Sequence, residues 1–173
     1  MLAGERRLEP IEGFPLGNSP REVAEHPDAP TLVLSTTNGT RLLVEAASRF
    51  DRVYVGSLLN LEAVAAAARE NEGEVSILCA GVLGELALDD AYCAGRIAQA
   101  LGGRPTDSAT AAIRLASSFG TADEALNASR SGWNLRRHGM EADIEWCARE
   151  NSLAVAPRLA RMVGRAAEVT SDE

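Results

Sequence analysis

The residues with chemical potential fall into three short clusters. The first is Thr36-Thr37-Asn38-Gly39-Thr40. The second is Gly56-Ser57 with Asn60. The third is Cys79-Ala80-Gly81 with Gly84, followed by Asp89-Asp90. Small, hydroxyl and amide side chains dominate all three. Such residues leave backbone N–H groups open to a ligand, and at the start of a helix those groups favour an anion, phosphate above all. The same residue types cap helices, so their identity alone leaves both roles open. Asp89-Asp90 has a similar double meaning. Adjacent acids can hold Mg²⁺, or they can complement the dipole of a helix start.

Other chemistries lack their parts. There is no Gly-x-x-x-x-Gly-Lys loop and no Gly-x-Ser-x-Gly elbow. His26 lies in a Pro-rich stretch and His138 near a helix end, with no nucleophile beside either, which argues against a Ser–His triad. Arg41, Arg130 and either Arg136 or Arg137 are the candidate phosphate partners. Arg130 stands out because Ser129-Arg130-Ser131-Gly132 places it between two hydroxyls just before a helix. The three cysteines, Cys79, Cys93 and Cys147, fit no zinc spacing and read as buried free thiols in a reducing cytoplasm.

The elements around these clusters position them. Residues 31–37 are apolar and β-branched and predict a strand, followed by a helix over 40–49. The pattern repeats as strand 52–56 with helix 60–71, and strand 74–80 with a helix from 89 to 101. Three such units predict an α/β fold: three layers, a mainly parallel sheet and right-handed crossovers. The clusters then share one sheet edge, at the carboxyl ends of the strands, where open α/β sheets bind ligands.

From 104 to 157 the reading is helix-rich, with helices over 106–119, 121–129, 131–138 and 141–150. Thr121 and Glu124 have capping-box spacing. Met140, Ile144, Cys147 and Ala148 form one apolar stripe that belongs in a core. Leu153–Ala156 reads as a short last strand stopped by Pro157, residues 158–167 are ambiguous, and 168–173 read as a frayed tail. Five of the seven prolines lie in residues 1–30, which predicts an ordered Pro-rich loop rather than regular structure.

At 173 residues the chain is expected to be one domain, or most of one. Its hydrophobic content of 46% supports a core, and aromatics at 4% mean that the core is built from Ala, Leu and Val. The net charge of −8 argues against nucleic acid and anionic membranes as partners. No run approaches the roughly 20 apolar residues of a membrane span, and MLAGERRLEP lacks a signal-peptide core. An anionic substrate would need local groups or a metal to reverse the field at the site.

The blocks Gly13-Phe14, Gly17-Asn18-Ser19-Pro20, Thr36-Thr37-Asn38-Gly39-Thr40, Cys79-Ala80-Gly81, Leu88-Asp89-Asp90 and Ala94-Gly95, in this order, resemble the 2-phosphosulfolactate phosphatase (ComB) family. Ser131-Gly132, Gly139, Asp143 and the Pro157 region are similar too. The resemblance implies a Mg²⁺-dependent phosphatase that converts 2-phosphosulfolactate to sulfolactate, a step toward coenzyme M. It implies Asn18, Asn38 and Asp90 as catalytic residues and Asp90 with Asp89 as metal ligands. Phosphate and substrate would meet Thr36, Thr37, Gly39, Thr40, Ser57, Asn60, Gly81 and Arg130. Family members are expected to carry a strand–helix segment with an Asp–Arg motif ahead of the Pro-rich stretch. Its absence would open a sheet edge suited to a homodimer contact. The alternative reading is a catalytically impaired short paralogue that binds anions or partners.

Overall fold

The computed structural model describes residues 1–6, 8–28 and 30–171. Strand β1, Leu2–Arg6, opens the chain and turns into the short β2, Glu9–Pro10. Helix α1, Pro20–Ala24, follows, then β3, Val33–Ser35, and α2, Gly39–Ala47. A 3₁₀ turn over Leu58–Asn60 leads into α3, Leu61–Arg69. The helical half comprises α4, Leu88–Leu101; α5, Asp107–Ser117; α6, Ala122–Ala128; α7, Arg130–Arg137; and α8, Glu141–Cys147. The chain closes with the antiparallel hairpin of β4, Arg158–Val163, and β5, Ala166–Thr170.

The mixed α/β class holds, and among the described residues the sheets are small, of three and two strands, rather than the expected mainly parallel sheet. β1 and β3 pair in parallel, Leu2 with Val33, Ala3 with Leu34 and Gly4 with Ser35, and β2 adds an antiparallel edge. Residues 74–80 are extended without a strand assignment. Residues 52–56 make one antiparallel bridge, Tyr54 with Arg158, flanked by backbone bonds from Val55 to Pro157 and from Leu159 to Val53. β-Branched composition favours extended backbone and a face to bury, but it does not choose a ladder partner. The faces stay open: Val33, Leu34, Val75 and Leu78 are all exposed.

Residues 1–30 are more regular than their prolines suggest. β1 escapes notice because Glu5 and Arg6 break any apolar alternation, yet its Ala3-Gly4-Glu5 centre is buried. Gly4 explains how. A Cβ there would lie 2.2 Å from the Ser35 carbonyl oxygen, so only glycine lets β1 approach β3. α1 is also local chemistry: the Ser19 hydroxyl caps the Glu22 amide and Pro20 occupies the first helical position. Residues 158–170 form a hairpin that includes Glu168, Val169 and Thr170 of the expected frayed tail, while Asp172 and Glu173 lie outside the described residues.

The core sits among the helices. Leu58, Leu61, Tyr92, Ile97, Ala116, Ala122 and Ala125 pack together, with Tyr92 edge-on to Phe119 at 5.9 Å between ring centres. The Tyr92 hydroxyl joins Arg96 and Glu150, themselves an ion pair at 2.9 Å. Ile144 is buried, and Ala148 packs on the core, as the apolar stripe predicts. Thr121 caps the Glu124 amide, but the Glu124 carboxylate reaches the amide of Gly120 rather than closing the box on Thr121. Among the described residues no helix is long and apolar enough to cross a membrane.

Candidate active site

The β1–β3 pair delivers Glu5 and the Thr36 loop to one end of the sheet, and α4 brings Asp89 and Asp90 up beside them. The resulting cavity, about 290 Å³, is lined by Glu5, Asn18, Thr36, Asn38, Gly39, Gly81, Asp89, Asp90 and Ser131, with Ala80, Val82 and Ala87 completing the wall. This volume suits a small ligand. Of the residues singled out from sequence, Asn18, Thr36, Asn38, Gly39, Gly81, Asp89 and Asp90 converge here.

The Thr36–Thr40 loop is closed by its own hydroxyls. Each of Thr36 and Thr40 accepts the other's amide at 3.4 Å, and the Thr40 hydroxyl donates to the Thr36 carbonyl. Thr37 faces the other way, giving its amide and its hydroxyl to Glu5 at 2.7 and 3.1 Å. Of the three threonines expected to meet phosphate, Thr37 and Thr40 therefore already donate their hydroxyls inside the protein, and the Thr36 hydroxyl accepts an amide. The amides of Gly39 and Arg41, in the first turn of α2, lack intrahelical partners by their position and remain the natural anion donors.

Ser57 and Asn60 do not line the cavity. Asn60 is buried and fully used: its amide group donates to the Val55 and Val155 carbonyls, and its oxygen accepts the Ser57 amide and hydroxyl. It ties residues 55–57 to the stretch around Val155. Arg130 is exposed at the start of α7, while its neighbour Ser131 lines the cavity. Arg136 is held by Asn127, Arg137 lies over the Trp133 ring, and Arg41 is exposed.

Asn18 reaches the cavity from a firmly held loop. Its neighbour Ser19 is buried and donates its hydroxyl to Asp143 at 2.8 Å, across 124 positions of sequence. On the opposite rim, Asn38 meets the Leu83 amide at 3.5 Å. Leu83 and Gly84 both have positive φ and form a two-residue hairpin turn between Val82 and Glu85.

The two aspartates differ. The Gly81 amide donates to Asp90 at 2.6 Å, and Gly81 must be glycine, since its φ is +65° and a Cβ would lie 2.5 Å from the Glu85 carbonyl oxygen. Burial, with the adjacent Asp89 charge, still pushes the Asp90 carboxyl above the usual carboxylate range. Asp89 is the less committed acid: its Oδ1 is buried with no hydrogen-bond partner. An orphaned carboxylate oxygen needs a donor or a cation. Among the cavity-lining residues there are three carboxylates and no arginine, and the sequence contains no lysine.

No group of three His, Cys, Asp or Glu suited to a metal occurs among the described residues. Mg²⁺ does not require one. It binds through one or two carboxylates and completes its shell with water and phosphate oxygens, so an acid pair with one free oxygen fits it.

Glu5 is the site residue that the sequence concealed. The signal was present in retrospect only as an acid three positions into a strand that pairs with β3. Cys79 is exposed rather than buried and lines a neighbouring cavity, whereas burial pushes the Cys93 thiol up to about 12.

Residues 1–161 match the family model described as 2-phosphosulpholactate phosphatase. A 2-phosphosulfolactate phosphatase of Methanothermobacter thermautotrophicus is 40% identical over 91% of this chain and 67% of its own length. Proteins named as probable 2-phosphosulfolactate phosphatases are 40% identical in Thermus thermophilus, over 96% of this chain and 73% of the relative, and in Deinococcus radiodurans, over 92% and 69%.

Proposed function

The chain belongs to the 2-phosphosulpholactate phosphatase family, and from that premise we propose that it is a Mg²⁺-dependent phosphatase whose substrate is 2-phosphosulfolactate, released as sulfolactate and phosphate. The observation that carries the metal dependence is the unpartnered Asp89 Oδ1, in a cavity with three carboxylates and no arginine. A phosphate monoester entering such a cavity would meet only like charge among the ionised side chains that line it.

Asp89 would hold the cation, with Asp90 beside it. When bound, the cation neutralises phosphoryl oxygens and so stabilises charge in the transition state. The first-turn amides of Gly39 and Arg41 orient the phosphate along the axis of α2. Gly81 fixes Asp90 through its amide. Asn18 and Ser131 bound the far wall and exclude bulk water from that side. Arg130, next to Ser131, is the cation we assign to the second anionic group of the substrate, and Asn38 tethers the hairpin turn over the rim.

The test is phosphate release from 2-phosphosulfolactate and from simpler phosphate monoesters, before and after chelation, in wild type and in Asp89→Asn. The expected result is turnover that chelation abolishes and Mg²⁺ restores, and a rate loss of about 10²–10³ in the variant, typical of removing one charge-stabilising group. Turnover that survives chelation, or an unimpaired Asp89→Asn enzyme, overturns the assignment. Turnover of the simple esters alone keeps the phosphatase and discards the named substrate.

A further inference from the structure

We infer that Glu5 is a positioning residue, holding the Thr36–Thr40 loop in the shape that receives the phosphoryl group; this rests on the phosphatase reading above. The parallel register sets Gly4 beside Ser35, so the next residue of β1 emerges where β3 ends and the loop begins. Glu5 is buried there. One carboxylate oxygen accepts the Thr37 amide at 2.7 Å, and the other accepts the Thr37 hydroxyl at 3.1 Å and the Leu8 amide at 3.0 Å.

This arrangement separates Glu5 from the aspartates in the same cavity. Three donors point their hydrogens at its two oxygens, which is the wrong polarity for a cation to approach. Three of its roughly four lone-pair sites, the ones a metal ligand or a general base would use, already accept N–H and O–H groups. Asp89 has the opposite condition, an oxygen with nothing on it. Glu5 therefore acts on the loop rather than on the substrate. It pins Thr37 from one side, while the reciprocal Thr36 and Thr40 bonds close the loop from the other. With both sides fixed, the first-turn amides of α2 keep one direction. Phosphoryl transfer depends on such positioning, and a displacement of about 1 Å can cost 10²-fold in rate.

The experiment compares kcat and KM for phosphate release in wild type, Glu5→Gln and Glu5→Ala, together with hydrogen exchange at the Thr37 amide. Glu5→Gln retains one carbonyl oxygen for that amide. The expected result is a kcat loss of about 10² in Glu5→Ala, a clearly smaller loss in Glu5→Gln, little change in KM, and Thr37 exchange that accelerates in the same order. If Glu5→Ala does not fold, Thr37→Val, which removes only the hydroxyl arm, should lower kcat by less while leaving KM unchanged. Equal and severe loss in both Glu5 variants with Thr37 still protected overturns the inference and places the Glu5 charge in the chemistry. Unchanged kcat in the variants also overturns it. A folded wild type that releases no phosphate from any ester defeats the phosphatase reading itself, a result distinct from an active enzyme that ignores its Glu5 substitutions.

Discussion

Gly95 lies on α4, the helix whose first turn carries Asp89 and Asp90. A Cβ built at position 95 would stand 2.1 Å from the Ala112 carbonyl oxygen, 2.7 Å from its carbon and 2.8 Å from the Ala116 Cβ, all on α5. Backbone cannot rotate aside as a side chain can. To reach an ordinary contact of 3.4 Å, α4 and α5 must part by about 1.3 Å. Gly95→Ala therefore sets two effects against each other. Alanine in a helix interior gains about 1 kcal/mol over glycine. Parting the helices loosens Tyr92, Ile97 and Ala116 in the core, and a gap of about 1 Å forfeits up to half of each dispersion contact across it. Overpacking of this kind costs about 1–3 kcal/mol, occasionally more. Because the obstacle is a carbonyl group, we place the net loss near 2 kcal/mol, which for a chain of this size lowers Tm by about 4–8 °C. Calorimetry or thermal circular dichroism reads it directly. A Tm equal to or above that of wild type would mean that helix propensity wins and that the α4–α5 contact is softer than its geometry implies.

Three further outcomes follow from single contacts. Ser19→Ala removes a helix cap worth about 1 kcal/mol and a bond to a buried carboxylate worth about 1.5–3, so urea unfolding should show a loss of about 2–4 kcal/mol; a loss no larger than the cap would show that Asp143 finds another donor. Burial of Glu5 opposes its ionisation, but the Leu8 and Thr37 amides, the Thr37 hydroxyl and Arg6 together hold its carboxyl below the ordinary 4.5. Its contribution is thus present above pH 4.5 and lost as pH falls through the lowered value, so the stability gap between wild type and Glu5→Gln should be widest near neutrality and close in acid. A gap independent of pH would contradict that sign. Ellman's reagent at pH 8 should label Cys79 before the other two thiols, with Cys93 reacting only on unfolding; rapid labelling of Cys93 would contradict its burial.

Much of the site was legible because short polar motifs keep their meaning outside any particular packing. Thr36-Thr37-Asn38-Gly39-Thr40 announces a loop before a helix, and Asp89-Asp90 a helix start, wherever the sheet goes. The sheet itself was less legible. Residues 52–56 and 74–80 carry strand composition, yet ladder pairing is decided by neighbours far off in sequence. Glu5 was hidden for the same reason: it lies in a charged stretch that becomes a strand only because Gly4 lets it lie against Ser35. Ser57 and Asn60 have the chemistry of ligand contacts, and only the positions of Val55 and Val155 reveal that Asn60 binds backbone and engages Ser57 with its oxygen. Gly95, one of the residues that carries the family likeness, serves helix packing rather than chemistry. Ser19-Pro20 with Glu22 is a complete helix-start signal, yet the density of prolines around it masks α1 behind the expectation of a loop.

The β4–β5 hairpin packs against α2, and the Thr36–Thr40 loop of the candidate site runs into the N-terminal end of α2. A short helix transmits force as a rigid rod, so pressure on the hairpin would arrive at the cavity as a tilt. Residues 158–170 thus adjoin the helix that begins at the 36–40 loop, although every residue lining the cavity precedes position 132. The last strand, beyond the span that matches the family model, becomes a handle on the site. Where a purification tag or fusion partner is joined after Thr170 is then a matter of catalytic design as well as of convenience.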